Sequence, residues 1–149
     1  MAEGRQLIDA GQEALDYEVR LVASPAQVFD RWVDPILLAT WMGDTATLAP
    51  EPGGVFRLEY RSDDVAEGHY VEVDPPWRLS FTWGWRGEVD FPPGSSTIEL
   101  TFDAPEAGGT VLRLRHTGVP AELRGNVDEG WRYFLPRLAA ALGEGMEPA

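Results

Sequence analysis

The sequence predicts an α+β fold, in which a curved antiparallel β-sheet wraps around a long C-terminal α-helix and two short helices follow the first strand. Three observations support this prediction. Most of the chain between residues 17 and 117 alternates apolar and polar side chains, which is the period of half-buried strands. Ser24-Pro25 and Asp34-Pro35 interrupt the alternation with helix-start signals. After Ala121 the apolar period changes to three and four residues, as in an amphipathic helix.

One strand and two short helices open the pattern. Residues 17–22 alternate, and we expect them to form the first strand. Serine is a good N-cap and proline suits the first helical position, so a helix begins at Ser24-Pro25. Asp34-Pro35 gives the same signal for a second, shorter helix that ends at Gly43.

The middle of the sequence predicts a meander of hairpins. Strand-like segments lie at residues 45–48, 55–61, 68–73, 79–85, 97–103 and 111–117. Gly53-Gly54, Asp74-Pro75-Pro76 and Gly108-Gly109 provide turns between them, so we expect a single antiparallel sheet. The 79–85 segment carries the most apolar bulk, with four large side chains predicted on its inner face: Leu79, Phe81, Trp83 and Trp85.

The last segment is the long amphipathic helix. Its apolar stripe comprises Val127, Trp131, Phe134, Leu135, Leu138 and Leu142, and Gly143 and Gly145 end it. A sheet with one apolar face must be covered, so we expect this helix to pack against the sheet in a helix-grip arrangement. That arrangement leaves a space between helix and sheet, which is a natural ligand pocket. We expect residues 1–16 to form a flexible segment and residues 17–145 a single domain.

Composition excludes several classes of function. The 149 residues include no cysteine, which removes disulfides, thiolate metal ligands and cysteine nucleophiles. The net charge of −13 disfavours nucleic-acid binding, because an acidic surface repels phosphate backbones. No apolar run approaches the ~20 residues of a membrane helix, so we expect no membrane insertion. No signal peptide is visible, so we expect a cytoplasmic protein.

The candidate site residues are the two histidines and the large apolar residues predicted to face the space between sheet and helix. They are Trp41, Tyr60, His69, Trp83, Trp85, His116, Trp131, Phe134 and Leu135. Such residues would line a pocket for an aromatic or lipid-like molecule, and inward histidines would orient a ligand or exchange a proton near neutral pH. Core packing is the alternative for each of them. It is weakest for Trp83 and Trp85, which end their strand beside a proline-rich loop.

We predict no cofactor, no metal site and no catalytic residue. A metal held by the two histidines needs a third ligand, and Glu67, Glu72 and Asp74 fall mostly on the other face of the predicted sheet. The sequence contains no glycine-flanked serine elbow and no glycine-rich loop with phosphate-binding spacing.

The order of elements resembles the START-like helix-grip (SRPBCC) superfamily, and within it the family of the activator of the heat-shock protein 90 ATPase. Nine motifs in register over residues 17–143 carry this resemblance: Ser24-Pro25 with Val28-Phe29, Asp34-Pro35 with Leu38 and Trp41, Gly53-Gly54, Gly68 with Val71, Asp74-Pro75-Pro76 with Arg78-Leu79 and Phe81-Thr82-Trp83, Ser96-Thr97, Gly109-Thr110 with Leu112 and Leu114, His116-Thr117-Gly118, and Gly130-Trp131 with Leu135 and Leu138. The resemblance implies the fold and a binding cavity. The chaperone activator carries a further N-terminal domain that does much of its chaperone binding, so its activity is not transferred with the name.

We therefore expect a protein that holds a small hydrophobic or aromatic molecule between sheet and helix, rather than an enzyme. Two alternatives stay open. One is a cyclase, hydratase or hydrolase that acts on a hydrophobic substrate with His116 or His69 as the acid–base group, which rests on fold-level analogy. The other is a stress-related module with a chaperone partner. An exposed sheet edge is also compatible with a homodimer.

Overall fold

The computed structural model describes residues 14–144. Most of the predicted flexible segment and the predicted stop at Gly145 therefore lie outside the described residues. The strands within this range are β1 Leu15–Leu21, β2 Thr45–Leu48, β3 Val55–Glu59, β4 Val65–Asp74, β5 Arg78–Trp83, β6 Ser96–Asp103 and β7 Thr110–Thr117. The helices are α1 Pro25–Val33, α2 Pro35–Leu38 and α3 Arg124–Ala141, with a 3₁₀ turn at Ala121–Leu123.

Both short helices begin where the sequence predicts. Ser24 accepts a hydrogen bond from the Gln27 backbone N–H (3.3 Å), and the Gln27 side chain accepts one from the Ser24 N–H (3.0 Å). This reciprocal capping box fixes the start of α1. Asp34 caps α2, because its carboxylate accepts from the backbone N–H groups of Ile36 and Leu37.

The seven strands in the described residues form one antiparallel sheet in the order β1-β7-β6-β5-β4-β3-β2. Its inner face packs on the helices through large rings. The centroids of Phe29 in α1 and Phe102 in β6 are 5.2 Å apart. The centroids of Trp131 in α3 and Trp83 in β5 are 6.4 Å apart. The curved sheet, the long C-terminal helix and the two short helices confirm the predicted helix-grip fold.

The predicted inward orientation of His69 is wrong. Along β4 the side chain of Tyr70 is fully buried, whereas His69 is exposed. The register between β4 and β5 shifts after Tyr70, which makes Val71 an extra, half-exposed residue of a β-bulge. The bulge changes which residues face inward, so the alternation read from Val73 does not extend back to His69. The backbone N–H of His69 donates a hydrogen bond to the Thr82 hydroxyl of the neighbouring strand β5 (2.9 Å).

Two glycines allow the backbone to pass close to β5. A Cβ atom at Gly68 would lie 1.9 Å from the Thr82 carbonyl oxygen. A Cβ atom at Gly84 would lie 1.7 Å from the Pro92 carbonyl oxygen. Because real Cβ atoms do not approach backbone this closely, any side chain at Gly84 would push away the loop that folds back over the end of β5.

We expect Gly84→Ala to lower the free energy of unfolding by about 2 kcal/mol or more, because the new methyl group meets rigid backbone. Gly125→Ala is the matched control. Gly125 lies in α3 with open space around its Cβ position, and alanine there should raise stability by up to about 1 kcal/mol. Urea unfolding of both variants measures the difference. Equal stability of Gly84→Ala and the unsubstituted protein would contradict the close approach.

Candidate functional site

A cavity of about 400 Å³ lies between the inner face of the sheet and α3. Six of the nine predicted site residues border it: Tyr60, Trp83, Trp85, His116, Trp131 and Phe134. They come from four different parts of the fold. Tyr60 follows β3 and Trp83 ends β5, whereas His116 belongs to β7 and Trp131 to α3. Whether these six residues bind a ligand stays a prediction.

Aromatic rings form most of the apolar wall. The Trp83 and Trp85 ring centroids are 5.5 Å apart with their planes at 87°, an edge-to-face contact. The Trp85 ring also lies 5.5 Å from Tyr60, and the Tyr60 ring lies 6.4 Å from Phe134. Rings from the sheet and from α3 therefore meet around one space, as the sequence predicts for the region between the two.

A continuous set of hydrogen bonds, here called the His116 network, holds the inner wall. The Trp131 indole N–H donates to His116 Nδ1 at 3.1 Å. His116 Nε2 lies 2.8 Å from Ser96 Oγ, which in turn donates to the backbone carbonyl of Trp83 at 2.8 Å. The network thus connects α3 to β7, β6 and the end of β5.

The donor and acceptor chemistry of this network fixes the state of the histidine. An indole N–H can only donate, so Nδ1 must be the unprotonated acceptor. The neutral ring then carries its proton on Nε2 and donates it to Ser96. Burial lowers the pKa of His116 from 6.5 to about 4, because a charged imidazolium is poorly solvated there. His116 is therefore neutral at physiological pH, with both ring nitrogens already hydrogen-bonded.

Charged groups lie at the open side of the cavity. Asp64, Arg86 and Glu88 border it. The Arg86 guanidinium is bound by Glu67, with 2.6 Å between Nη2 and Oε2. Burial raises the pKa of the Tyr60 hydroxyl above its usual value, and the neighbouring carboxylates of Asp44 and Asp64 raise it further.

The sequence model of one protein family, the Activator of Hsp90 ATPase homolog 1-like proteins, matches residues 22–143. The chain belongs to this family. No curated protein matches it by sequence.

Solved structures show the same fold in proteins of low sequence identity. PFC0360w, an HSP90 activator from Plasmodium falciparum, is 23% identical with a TM-score of 0.73, over 89% of this chain and 98% of its own. The Aha1 dimer from Colwellia psychrerythraea is 15% identical with a TM-score of 0.76, over 90% and 98%. DynU16, a protein of the dynemicin biosynthetic locus, is 23% identical with a TM-score of 0.76, over 88% and 47%. At these identities the likeness shows the fold alone.

The other three predicted site residues of the chain do not border the cavity. Trp41 is fully buried against Trp32, and its indole N–H donates to the Arg31 carbonyl oxygen at 3.0 Å. Leu135 is buried in the hydrophobic core on the sheet side of α3. His69 is exposed on the other side of β4. For Trp41 and Leu135, the structure favours the core-packing alternative.

The cavity is also bordered by residues outside the nine predicted site residues. Phe91 comes from the loop after β5, and Met42 follows α2. Val127 and Gly130 belong to the face of α3 that carries Trp131. Val127 belongs to the apolar stripe of the helix, so the sequence does indicate that it faces the sheet. A loop residue such as Phe91 has no periodic signal, because its position depends on how the loop folds back.

Among residues 14–144, no helix is long and apolar enough to cross a membrane. In the same range, no three histidine, aspartate or glutamate side chains are grouped so that they could hold a metal ion.

We expect His116 to make the stability of the protein depend on pH. Its folded pKa of about 4 lies below the value of 6.5 for a free histidine, so the unfolded chain binds a proton first as the pH falls. The stability from the neutral histidine is fully present above about pH 6.5. Towards pH 4 this stability decreases by about 3 kcal/mol, because each unit of difference between the unfolded and the folded pKa corresponds to ~1.4 kcal/mol.

The variant His116→Gln isolates this effect, because glutamine can accept from Trp131 and donate to Ser96 without titrating. The carboxylates titrate in both proteins, so the difference between their unfolding free energies reports on His116. The unfolding free energy of the unsubstituted protein minus that of the variant should fall by about 3 kcal/mol as the pH falls from 6.5 to 4. A difference that does not change with pH would contradict a buried neutral histidine.

Proposed function

We propose that this protein binds a small hydrophobic or aromatic molecule in the cavity between the sheet and α3. The observation that carries the proposal is the cavity of about 400 Å³ with its wall of aromatic rings. Ligand pockets are typically ~300–1,000 Å³, mostly apolar, with a few polar groups that orient the ligand.

Hydrogen bonds within the protein itself hold part of the cavity wall in place. The His116 network fixes the indole of Trp131 and the backbone at Trp83, and both residues border the cavity. A rigid wall lowers the conformational entropy lost on binding, because fewer side chains must be ordered. Preorganisation of this kind favours a binding protein.

The enzyme alternative has less support from the geometry. An acid–base group needs to reach the substrate with a pKa near the working pH. His116 has both ring nitrogens engaged and a pKa of about 4, and His69 lies outside the cavity. The cyclase, hydratase or hydrolase reaction with one of these histidines as acid–base is therefore not our proposal.

Chaperone binding is the second candidate, favoured by the description of the family and by the HSP90 activator among its structural neighbours. It would use the outside of the domain, so it is compatible with a ligand in the cavity. A pull-down of an Hsp90-type chaperone by the purified protein tests it, with a cavity-filled variant as the control. If the unsubstituted protein and the cavity-filled variant both bind the chaperone, the contact lies on the outer surface. If neither of them binds it, this candidate is removed.

A homodimer is a separate proposal. The strands β1 and β2 are the two edges of the sheet, and one structural neighbour is described as a dimer. Edge strands offer unpaired backbone groups to a second copy. Sedimentation velocity at two protein concentrations distinguishes a dimer from a monomer.

The cavity can be filled from α3. Gly130 borders it, and a Cβ atom there would have open space around it. We expect Gly130→Leu to place its side chain in the cavity and to weaken binding of a neutral apolar fluorophore, N-phenyl-1-naphthylamine, by about tenfold or more, since ~1.4 kcal/mol corresponds to tenfold. Fluorescence titration measures the dissociation constant.

Gly125→Leu is the matched control, because Gly125 lies in the same helix with equally open space and does not border the cavity. Both variants should be at least as stable as the unsubstituted protein, since leucine favours helix more than glycine does. Equal affinity of the two variants would place the fluorophore outside the cavity. No binding of this fluorophore, together with no thermal shift from a panel of lipids and aromatics, would contradict the proposed function.

A further inference from the structure

The open side of the cavity carries an aromatic arrangement that suits a positive charge. Trp85 lies 5.5 Å from both Tyr60 and Trp83, and Phe134 lies 6.4 Å from Tyr60. The faces of aromatic rings carry partial negative charge, and several rings around one point attract ammonium groups. Tyr60, Trp85 and Phe134, the half-buried rings of this set, therefore offer a cation more than apolar area.

Two carboxylates lie beside these rings. Asp64 closes the turn after Tyr60, where the Tyr60 backbone N–H donates to the Asp64 carbonyl oxygen at 2.9 Å. Glu88 follows Trp85 in a turn, where its N–H donates to the Trp85 carbonyl oxygen at 3.1 Å. Both border the cavity, and neither forms an ion pair within residues 14–144. The two turns thus bring the backbone of Asp64 close to that of Tyr60, and the backbone of Glu88 close to that of Trp85.

The arginine that borders the same cavity is already paired with a carboxylate. Among the described residues that border the cavity, Arg86 is the one cation, and Glu67 binds its guanidinium through two hydrogen bonds of 2.6 and 3.3 Å. Glu59 adds a second carboxylate near Arg86, whereas Arg57 approaches Glu67 at 3.1 Å. An anionic ligand would have to compete with Glu67 for Arg86, whereas a cation would meet Asp64 and Glu88, which form no ion pair among residues 14–144.

We propose that the ligand is an organic cation, with a hydrophobic body inside the cavity and an amine or quaternary ammonium group between the aromatic rings and the carboxylates of Asp64 and Glu88. This inference rests on the proposed function and names the chemical class of ligand that the same site takes. The apolar wall at Trp131 and Trp83 holds the body, and Tyr60 and Trp85 face the charged group.

Three probes with one naphthyl body test the inference. They carry a trimethylammonium group, a hydroxyl group or a carboxylate on the same ring position, and tryptophan fluorescence gives their dissociation constants. Measurement at about 0.15 M salt reduces the attraction of cations to the acidic surface as a whole, because charges beyond ~8 Å are then screened. We expect the cation to bind about tenfold more tightly than the neutral probe, and the anion to bind most weakly.

The double variant Asp64→Asn, Glu88→Gln should reduce the affinity for the cation to about that for the neutral probe. The neutral probe, measured on the same variant, reports whether the cavity still forms. Asp63→Asn with Asp90→Asn is the control, because it removes the same net charge from exposed neighbours that do not border the cavity. The control should keep the preference for the cation.

The failures of the two proposals are distinguishable. Equal affinities for cation and neutral probe, a preference for the anion, or a cation preference that persists without Asp64 and Glu88 would overturn the inference. The cavity would remain a binding site in these cases, provided that Gly130→Leu weakens the neutral probe. If no probe of any charge binds, both the inference and the proposed function fail.

Discussion

The hydrogen bonds around His116 determine the shape of the space between sheet and helix. An indole N–H has no alternative to donating, so Trp131 fixes the tautomer of His116, and the histidine then orients Ser96 towards the Trp83 carbonyl oxygen. Each polar atom in this buried row has a partner, which avoids the penalty for burying an unsatisfied group. The network also connects α3 to the end of β5, and both elements border the cavity.

The inner side of the cavity is apolar, whereas its open side carries charged groups. At the inner side the polar groups of the network satisfy one another, so a ligand would meet mainly apolar side chains there, among them Trp83 and Trp131. At the open side, Asp64 and Glu88 form no ion pair within the described residues. A molecule with a hydrophobic end and a charged end matches this division. The histidine contributes by holding the wall and has no free nitrogen for chemistry.

The sequence predicts the fold because alternation and helix-start residues are local signals. Ser24 and Asp34 cap their helices as expected, and the strands follow the alternation. The sequence predicts the wrong face for His69, because a β-bulge at Val71 changes the alternation. No residue type in this strand indicates the bulge. The cavity border at Phe91 depends on a loop that folds back past Gly84, which is a tertiary contact without a sequence period.

The His116 network can be observed directly by nuclear magnetic resonance. In protein labelled with ¹⁵N, long-range correlations distinguish the two neutral tautomers and the charged form of a histidine ring. At neutral pH His116 should carry its proton on Nε2, and a scalar coupling should connect the nitrogen atoms of Trp131 Nε1 and His116 Nδ1 across their hydrogen bond. A proton on Nδ1, or a charged imidazolium at that pH, would contradict the network.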